Sequence, residues 1–344
     1  MSDRLLMYRR RFLGHGPISF YHVMSRTTGG DFLFGDAEKF LFRQWLTKMS
    51  AFTGVRIVTW CCMSNHFHVL VEVPDRGPFV RPLLEDEEKM LKHLRILYSK
   101  AEVLAIRREL ELYRTAGHDS LADDLLRKFS RRMCDLAAFM KELKHRLTLA
   151  FNKTHGRRGT LWMAPYKSVL VEGSDALATV AAYIDLNPVR AGIVSDPKDY
   201  RFCGYAEAVA GVGASQKGLC RALGATRNDW HRLSGRYRVL LYGTLDASPG
   251  SVSTSEIEAV LAVGGQLSVA QLLRCRVRYM TDGGILGSRA YLEAYLSNAA
   301  WQFGSSRSTA SRAMAGGDWG QLFSLRDLKK TPVILPGLQE TVVA

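Results

Sequence analysis

The stretch Ser64-Asn65-His66-Phe67-His68-Val69-Leu70-Val71-Glu72-Val73 constrains the chain more than any other. β-Branched and apolar residues dominate it and Pro74 stops it, so it reads as a β-strand. Side chains alternate along a strand, which puts His66, His68, Leu70 and Glu72 on one face and Phe67, Val69, Val71 and Val73 on the other. The second face is wholly apolar and must be covered by helices. The first carries two imidazoles at the strand's opening end, close enough to bind one metal ion. Glu72 shares that face but lies roughly 13 Å beyond His68 along an extended strand, too far to join them.

The strands and helices around it follow from local patterns. Ile18 to Arg26 is expected as a first strand, with a loop at Thr27-Thr28-Gly29-Gly30. Asp36 opens a helix to about Phe52, with Phe40, Leu41, Trp45, Leu46 and Met49 at helical spacing, and Gly54 ends it. Val55 to Met63 is a second strand, two residues from the histidine strand, so the two form an antiparallel hairpin. From Asp75 to about Ser130 the composition turns to Leu, Lys, Arg and Glu, the pattern of two or more long helices. A further helix is expected over 131–151 and a fourth strand over 167–172. Ser174 or Asp175 then caps a helix through Ala176, Leu177, Val180, Ala181, Ile184 and Leu186, which Pro188 disrupts. This order suits an α+β fold: a central antiparallel sheet with helices packed on one face. The expected organisation is one domain over 1–200, carrying a helical insertion at about 77–134, and a small, mostly helical domain over 201–344. Small-residue stretches at 208–215 and 246–255 suggest linkers, and residues 337–344 a loose end.

The formal charge of +14 and pI of about 9.6 favour a polyanionic partner, nucleic acid first and an anionic membrane surface second. Six cysteines form no CxxC pair and no zinc-finger spacing, as in a reducing compartment. No signal peptide and no run of eighteen apolar residues is present, so the expectation is a cytoplasmic protein with no membrane partner. Between Arg127 and Arg158 ten Lys or Arg face Asp135 and Glu142 alone. Such a run is either a solvated helix face or a phosphate track. Lys144, Arg146, Lys167 and Arg190 are candidate DNA contacts, with Arg157 and Arg158 in the flexible turn at 155–159. Arg274, Arg276 and Arg278 alternate as in an edge strand or a phosphate contact.

Tyr183 and Asn187 are four apart on the last helix before Pro188, one above the other on one face. A two-histidine metal site lacks a third protein ligand, and a carboxamide oxygen is a reasonable donor to Mg²⁺ or Mn²⁺. A tyrosine one turn away would sit beside the metal and attack a phosphodiester. Tyr166 is a competitor without a polar partner one turn on, and either tyrosine alone is as readily a packing residue.

These stretches bear a family resemblance. YHVMSR (21–26), MSNHFHVLVE (63–72), GRRGTLWMAPYKSVLVE (156–172), AAYIDLNPVRAGIV (181–194) and RVRYMTDGGILGS (276–288) together resemble the REP-associated tyrosine transposases among the single-tyrosine HUH transposases. The resemblance implies a ferredoxin-like HUH domain, His66 and His68 as metal ligands, Asn187 as a third, and Tyr183 as nucleophile. It implies single-stranded or hairpin DNA as substrate, a covalent 5′-phosphotyrosine intermediate, and a bacterial, nucleoid-associated setting. The helical stretch from about Gly77 to Cys134 departs from the family pattern in its length. The alternative is a transposase-derived protein that binds single-stranded or hairpin DNA without catalysis. A monomer and a homodimer are both compatible with the sequence.

Overall fold

The computed structural model describes residues 11–243, 267–298, 311–326, 328 and 333–334. The expected linker at 246–255 and loose end at 337–344 lie outside the described residues. Four strands form the half of the sheet that carries the histidines: β1 (Ile18–Arg26), β2 (Arg56–Cys62), β3 (His66–Pro74) and β4 (Lys167–Val171). They lie in the order β2-β3-β1-β4, every pair antiparallel. The turn between β2 and β3 is closed by the Met63 amide donating to the His66 carbonyl at 2.8 Å. It is tied to the loop after β1 by Thr27, whose amide and hydroxyl both donate to the Asn65 carbonyl at 2.9 Å.

The apolar face of β3 meets α1 (Asp36–Thr53) and α6 (Leu136–Thr154). Phe42 stacks obliquely on Phe67, ring centroids 4.8 Å apart, and Phe67 meets Trp162 edge-on at 5.5 Å. Gly54 ends α1 in the left-handed conformation (φ 76°), where any side chain would be strained.

The histidine face is covered too, which corrects the expectation of helices on one face only. Over it lie α7 (Asp175–Asp185), then α8 (Asn187–Arg190), α9 (Gly204–Val209), α10 (Gly213–Ala222) and α11 (Trp230–Tyr242). Ser174 caps α7, its hydroxyl accepting from the Ala176 amide. Ten of the eleven residues of α7 are buried, because the sheet lies on one side and α10 and α11 on the other.

The antiparallel expectation holds for β1 to β4 and fails beyond them. The sheet has seven strands and is mixed, because β6 (Ile285–Gly287) runs parallel to β4 and carries β8 (Phe323–Ser324) and β7 (Arg312–Ala313) outside it. Residues after 200 therefore extend the same sheet, and their buried side chains belong to the same hydrophobic core. The remaining short elements are α12 (Val269–Arg274), β5 (Arg276–Val277), which pairs with β9 (Val333–Ile334), α13 (Tyr279–Asp282) and α14 (Arg289–Asn298).

The helical stretch after β3 comprises α2 (Arg76–Leu84), α3 (Glu87–Leu94), α4 (Lys100–Thr115) and α5 (Asp119–Ser130). These helices build a second core of their own from Val80, Met90, Leu94, Leu110, Leu126 and Phe129, joined by Phe52 of α1. Phe79, near the start, packs against Gly54, and the Cys134 amide, at the end, donates to the Thr53 carbonyl at 2.7 Å.

The contact of α10 with the edge strand β2 depends on one missing side chain. A Cβ on Gly218 would fall 2.2 Å from the Val58 carbonyl oxygen, whereas one on Gly213 would meet nothing within 4 Å. Gly218→Ala is expected to destabilise the protein by about 1–3 kcal/mol, as overpacking against backbone does. Gly213→Ala should leave thermal unfolding unchanged, and equal melting temperatures for the two variants would contradict the packing described.

Candidate active site

The β1–β3 register pairs Arg26 with His66, Met24 with His68 and His22 with Leu70. Residues directly opposite share a face, so His22 and Arg26 join His66 and His68 on one side of the sheet. His22 is the residue that reading the strands one at a time missed. Its signal was available: the first strand alternates as the third does, and pairing the two brings its histidine beside His68.

The imidazoles form an ordered cluster. His22 stacks on His68 with centroids 5.0 Å apart, and His68 meets His66 edge-on at 5.1 Å. The protons on these rings follow from fixed acceptors. The Met280 carbonyl can only accept, so His22 Nδ1 carries a proton and donates to it at 2.7 Å. A neutral His22 then accepts at Nε2 from His68 Nδ1, 2.8 Å away, and His68 Nε2 keeps its lone pair. Asn65 Nδ2 donates to the Gly30 carbonyl at 2.9 Å, which leaves its Oδ1 to accept from His66 Nδ1 at 2.6 Å. His66 Nε2 is therefore a lone pair as well.

Burial enforces the neutral forms. It lowers the pKa of His22 from 6.5 to about 4 and that of His66 to about 3. His68 is pushed well below the usual value, first by burial and then by His22 and His66. The Arg190 cation acts in the same direction on all three.

Tyr183 reaches the cluster from α7. Its ring lies edge-on to His22 and His68, at 6.3 and 6.2 Å between centroids. Arg190, on α8, holds it from the other side: the guanidinium sits 3.9 Å from the Tyr183 ring centroid and donates to the Tyr183 carbonyl at 2.6 Å and the Leu273 carbonyl at 2.7 Å. Arg190 is thus half-buried against the tyrosine, with its guanidinium on the ring and two carbonyls. Asn187 is buried, and its Nδ2 donates to the Ile184 carbonyl at 3.0 Å, leaving Oδ1 as the group to offer a cation. Tyr166 is elsewhere engaged, its hydroxyl accepting from Arg11 at 3.1 Å.

The other candidate DNA contacts are spread around the sheet. Lys144 donates to the Ala164 carbonyl at 2.8 Å over the Trp162 ring, and burial lowers its pKa to about 8. Arg146 pairs with Glu142 at 2.7 Å and Lys167 with Asp282 at 2.8 Å. Arg157 and Arg158 are exposed. Glu72 is buried between Arg56 and Arg221 and serves the sheet rather than the histidines.

Two imidazole lone pairs and a carboxamide oxygen suit a hard or borderline divalent cation. Among the described residues no group of three or more His, Cys, Asp or Glu is arranged to hold a metal. The histidine lone pairs that face outward from the ring cluster are those on Nε2 of His66 and His68. Among the same residues no helix is long and apolar enough to cross a membrane.

No family model matches the chain, and no curated protein does. One solved structure is similar, a REP-associated tyrosine transposase bound to a REP hairpin, at 15% identity and a TM-score of 0.36. The match covers 61% of this chain and 87% of that one. So distant a likeness says nothing about the chemistry of this chain.

The neutral histidines have a consequence for stability. The unfolded chain takes up protons at these positions near pH 6.5, before the folded one does, so their contribution is present above that pH and lost as pH falls toward 4. The loss approaches about 1.4 kcal/mol per pH unit for each histidine. Asp185, raised by burial to about 7, works in the opposite sense, losing its contribution as pH rises. Denaturant unfolding in EDTA of wild type and of the His66→Gln/His68→Gln double variant separates the two. The difference between their profiles should slope upward with pH from 4 to 6.5, and a flat difference would contradict buried neutral imidazoles.

Proposed function

We propose that the chain is a metal-assisted single-stranded DNA nuclease and strand transferase with Tyr183 as its nucleophile. One observation carries the reading: two adjacent histidines have their Nε2 lone pairs fixed by hydrogen bonds, and one of them, His68, is in ring contact with a tyrosine held by Arg190. Support for a ferredoxin-like HUH frame comes from the order β1-α1-β2-β3-α6-β4 and the sheet order β2-β3-β1-β4. The sequence resemblance supplies the substrate class, hairpin-forming single-stranded DNA, and the charge of +14 suits it.

His66, His68 and Asn187 would hold the cation, which when bound supplies positive charge to the phosphoryl oxygens. Tyr183 Oη attacks the phosphorus and gives up its proton. The bond from phosphorus to the 3′-oxygen breaks, and that oxygen leaves and takes up a proton. The products are a 5′-phosphotyrosine and a free 3′-hydroxyl. The energy of the broken ester is kept in the new one, so another 3′-hydroxyl can attack and restore a DNA strand. Arg190 keeps the tyrosine ring from turning away, through its stacking and its bond to the Tyr183 carbonyl. Arg157 and Arg158, exposed beside the sheet, would track the backbone, so binding should weaken steeply with salt.

The deciding experiment incubates labelled single-stranded hairpin DNA from the gene's own flanks with the protein and Mg²⁺ or Mn²⁺. A covalent adduct that survives denaturant is expected for wild type and Tyr166→Phe, and abolished in Tyr183→Phe and His66→Ala. Tight hairpin binding with no adduct under either metal would favour a binding protein instead. An adduct lost in Tyr166→Phe and kept in Tyr183→Phe would reassign the nucleophile.

A further inference from the structure

We infer that His22 is a positioning residue for the metal site, and that the C-terminal segment around Met280 is what fixes it. The inference rests on the nuclease reading for the metal, and on the hydrogen bonds of this chain for the rest.

The two candidate ligands are oriented by different parts of the molecule. His66 takes its partner from the neighbouring residue, Asn65, within the turn that also starts the strand. His68 has no such local partner. Its Nδ1 proton goes to His22 on the next strand, and the opposite nitrogen of His22 donates to the Met280 carbonyl, 258 positions away in sequence. Histidine ligands are generally held by a carboxylate, carbonyl or water on the far nitrogen, which sets the tautomer. Here an imidazole is placed between ligand and carbonyl and carries the carbonyl's choice of proton across one more ring. Were His68 to take the other tautomer, Nε2 would carry a proton and present it to the cation.

The segment supplying that carbonyl is anchored. Asp282 pairs with Lys167 at the start of β4, and Ser324 Oγ donates to the Gly283 carbonyl at 3.1 Å. The same segment reaches the nucleophile, since Arg190 donates to Leu273 while stacking on Tyr183. Residues 273–280 thus touch both halves of the site through one intermediary each.

The test compares His22→Gln with His22→Asn in the full-length chain. Both are polar and carry the same amide. Only glutamine is long enough to offer an oxygen to His68 Nδ1; asparagine reaches no further than the Nδ1 position, toward Met280. Mn²⁺ affinity is read by electron paramagnetic resonance and calorimetry, with circular dichroism to compare folding. His22→Asn should weaken Mn²⁺ binding by about 10–100-fold, and His22→Gln should recover to within about threefold of wild type. Adduct formation by His22→Asn should return at raised Mn²⁺. Equal Mn²⁺ affinity for wild type and His22→Asn, or equal weakening in both variants, would overturn the role of His22. If the affinities follow this pattern while wild type forms no adduct, the positioning role stands and the nuclease reading falls. No Mn²⁺ binding by wild type would remove both.

Discussion

Because Met24 pairs with His68 and Arg26 with His66, the β1–β3 ladder decides which side chains can meet at this site. A slip of one residue would turn His22 to the other face and into the layer of Phe67, Val69 and Phe42. That layer is fully buried, so the slip is opposed by the whole apolar core beneath the sheet. The chemistry on one face is therefore held in register by hydrophobic burial on the other. Tyr183 then approaches from α7, ten of whose eleven residues are buried, and Arg190 from the short α8 that follows it.

Electrostatics at the cluster follow from the same enclosure. Three imidazoles packed together would repel one another if charged, and burial already disfavours their protonation. Arg190 adds a cation that opposes it further. Neutral rings are what a metal site needs, because a protonated histidine has no lone pair to give. Positive charge lies beside the cluster, on Arg26 and Arg190, and also on exposed arginines such as Arg157 and Arg158.

Much of this was legible in the sequence. β1 was read at Ile18–Arg26 as found, β4 to within one residue, and Gly54 as the stop of α1. These have strong local signals: alternation, a proline stop, a glycine that must adopt positive φ. His66, His68 and Tyr183 could be named as candidates, and the structure brings all three together. His22 escaped because its meaning depends on which strand lies beside it. For Arg190 the sequence shows a charge but not the ring it stacks on. The strands β6, β7 and β8 have two or three residues each and no periodicity to detect, so the extension of the sheet was invisible. The second layer of helices is hidden for a related reason: the face of β3 with His66, His68 and Glu72 is half polar in sequence, and the helices that cover it come from far along the chain.

The helices between β3 and α6 leave the sheet beside Gly54, where Phe79 packs, and come back at Thr53, where the Cys134 amide is received. Departure and return therefore share one corner at the end of α1. With a core of its own, the excursion behaves toward the sheet as one very long turn, whose size leaves the spacing of β3 and α6 untouched. A chain built this way can lengthen, shorten or exchange that excursion while the histidine strand stays where the ladder puts it.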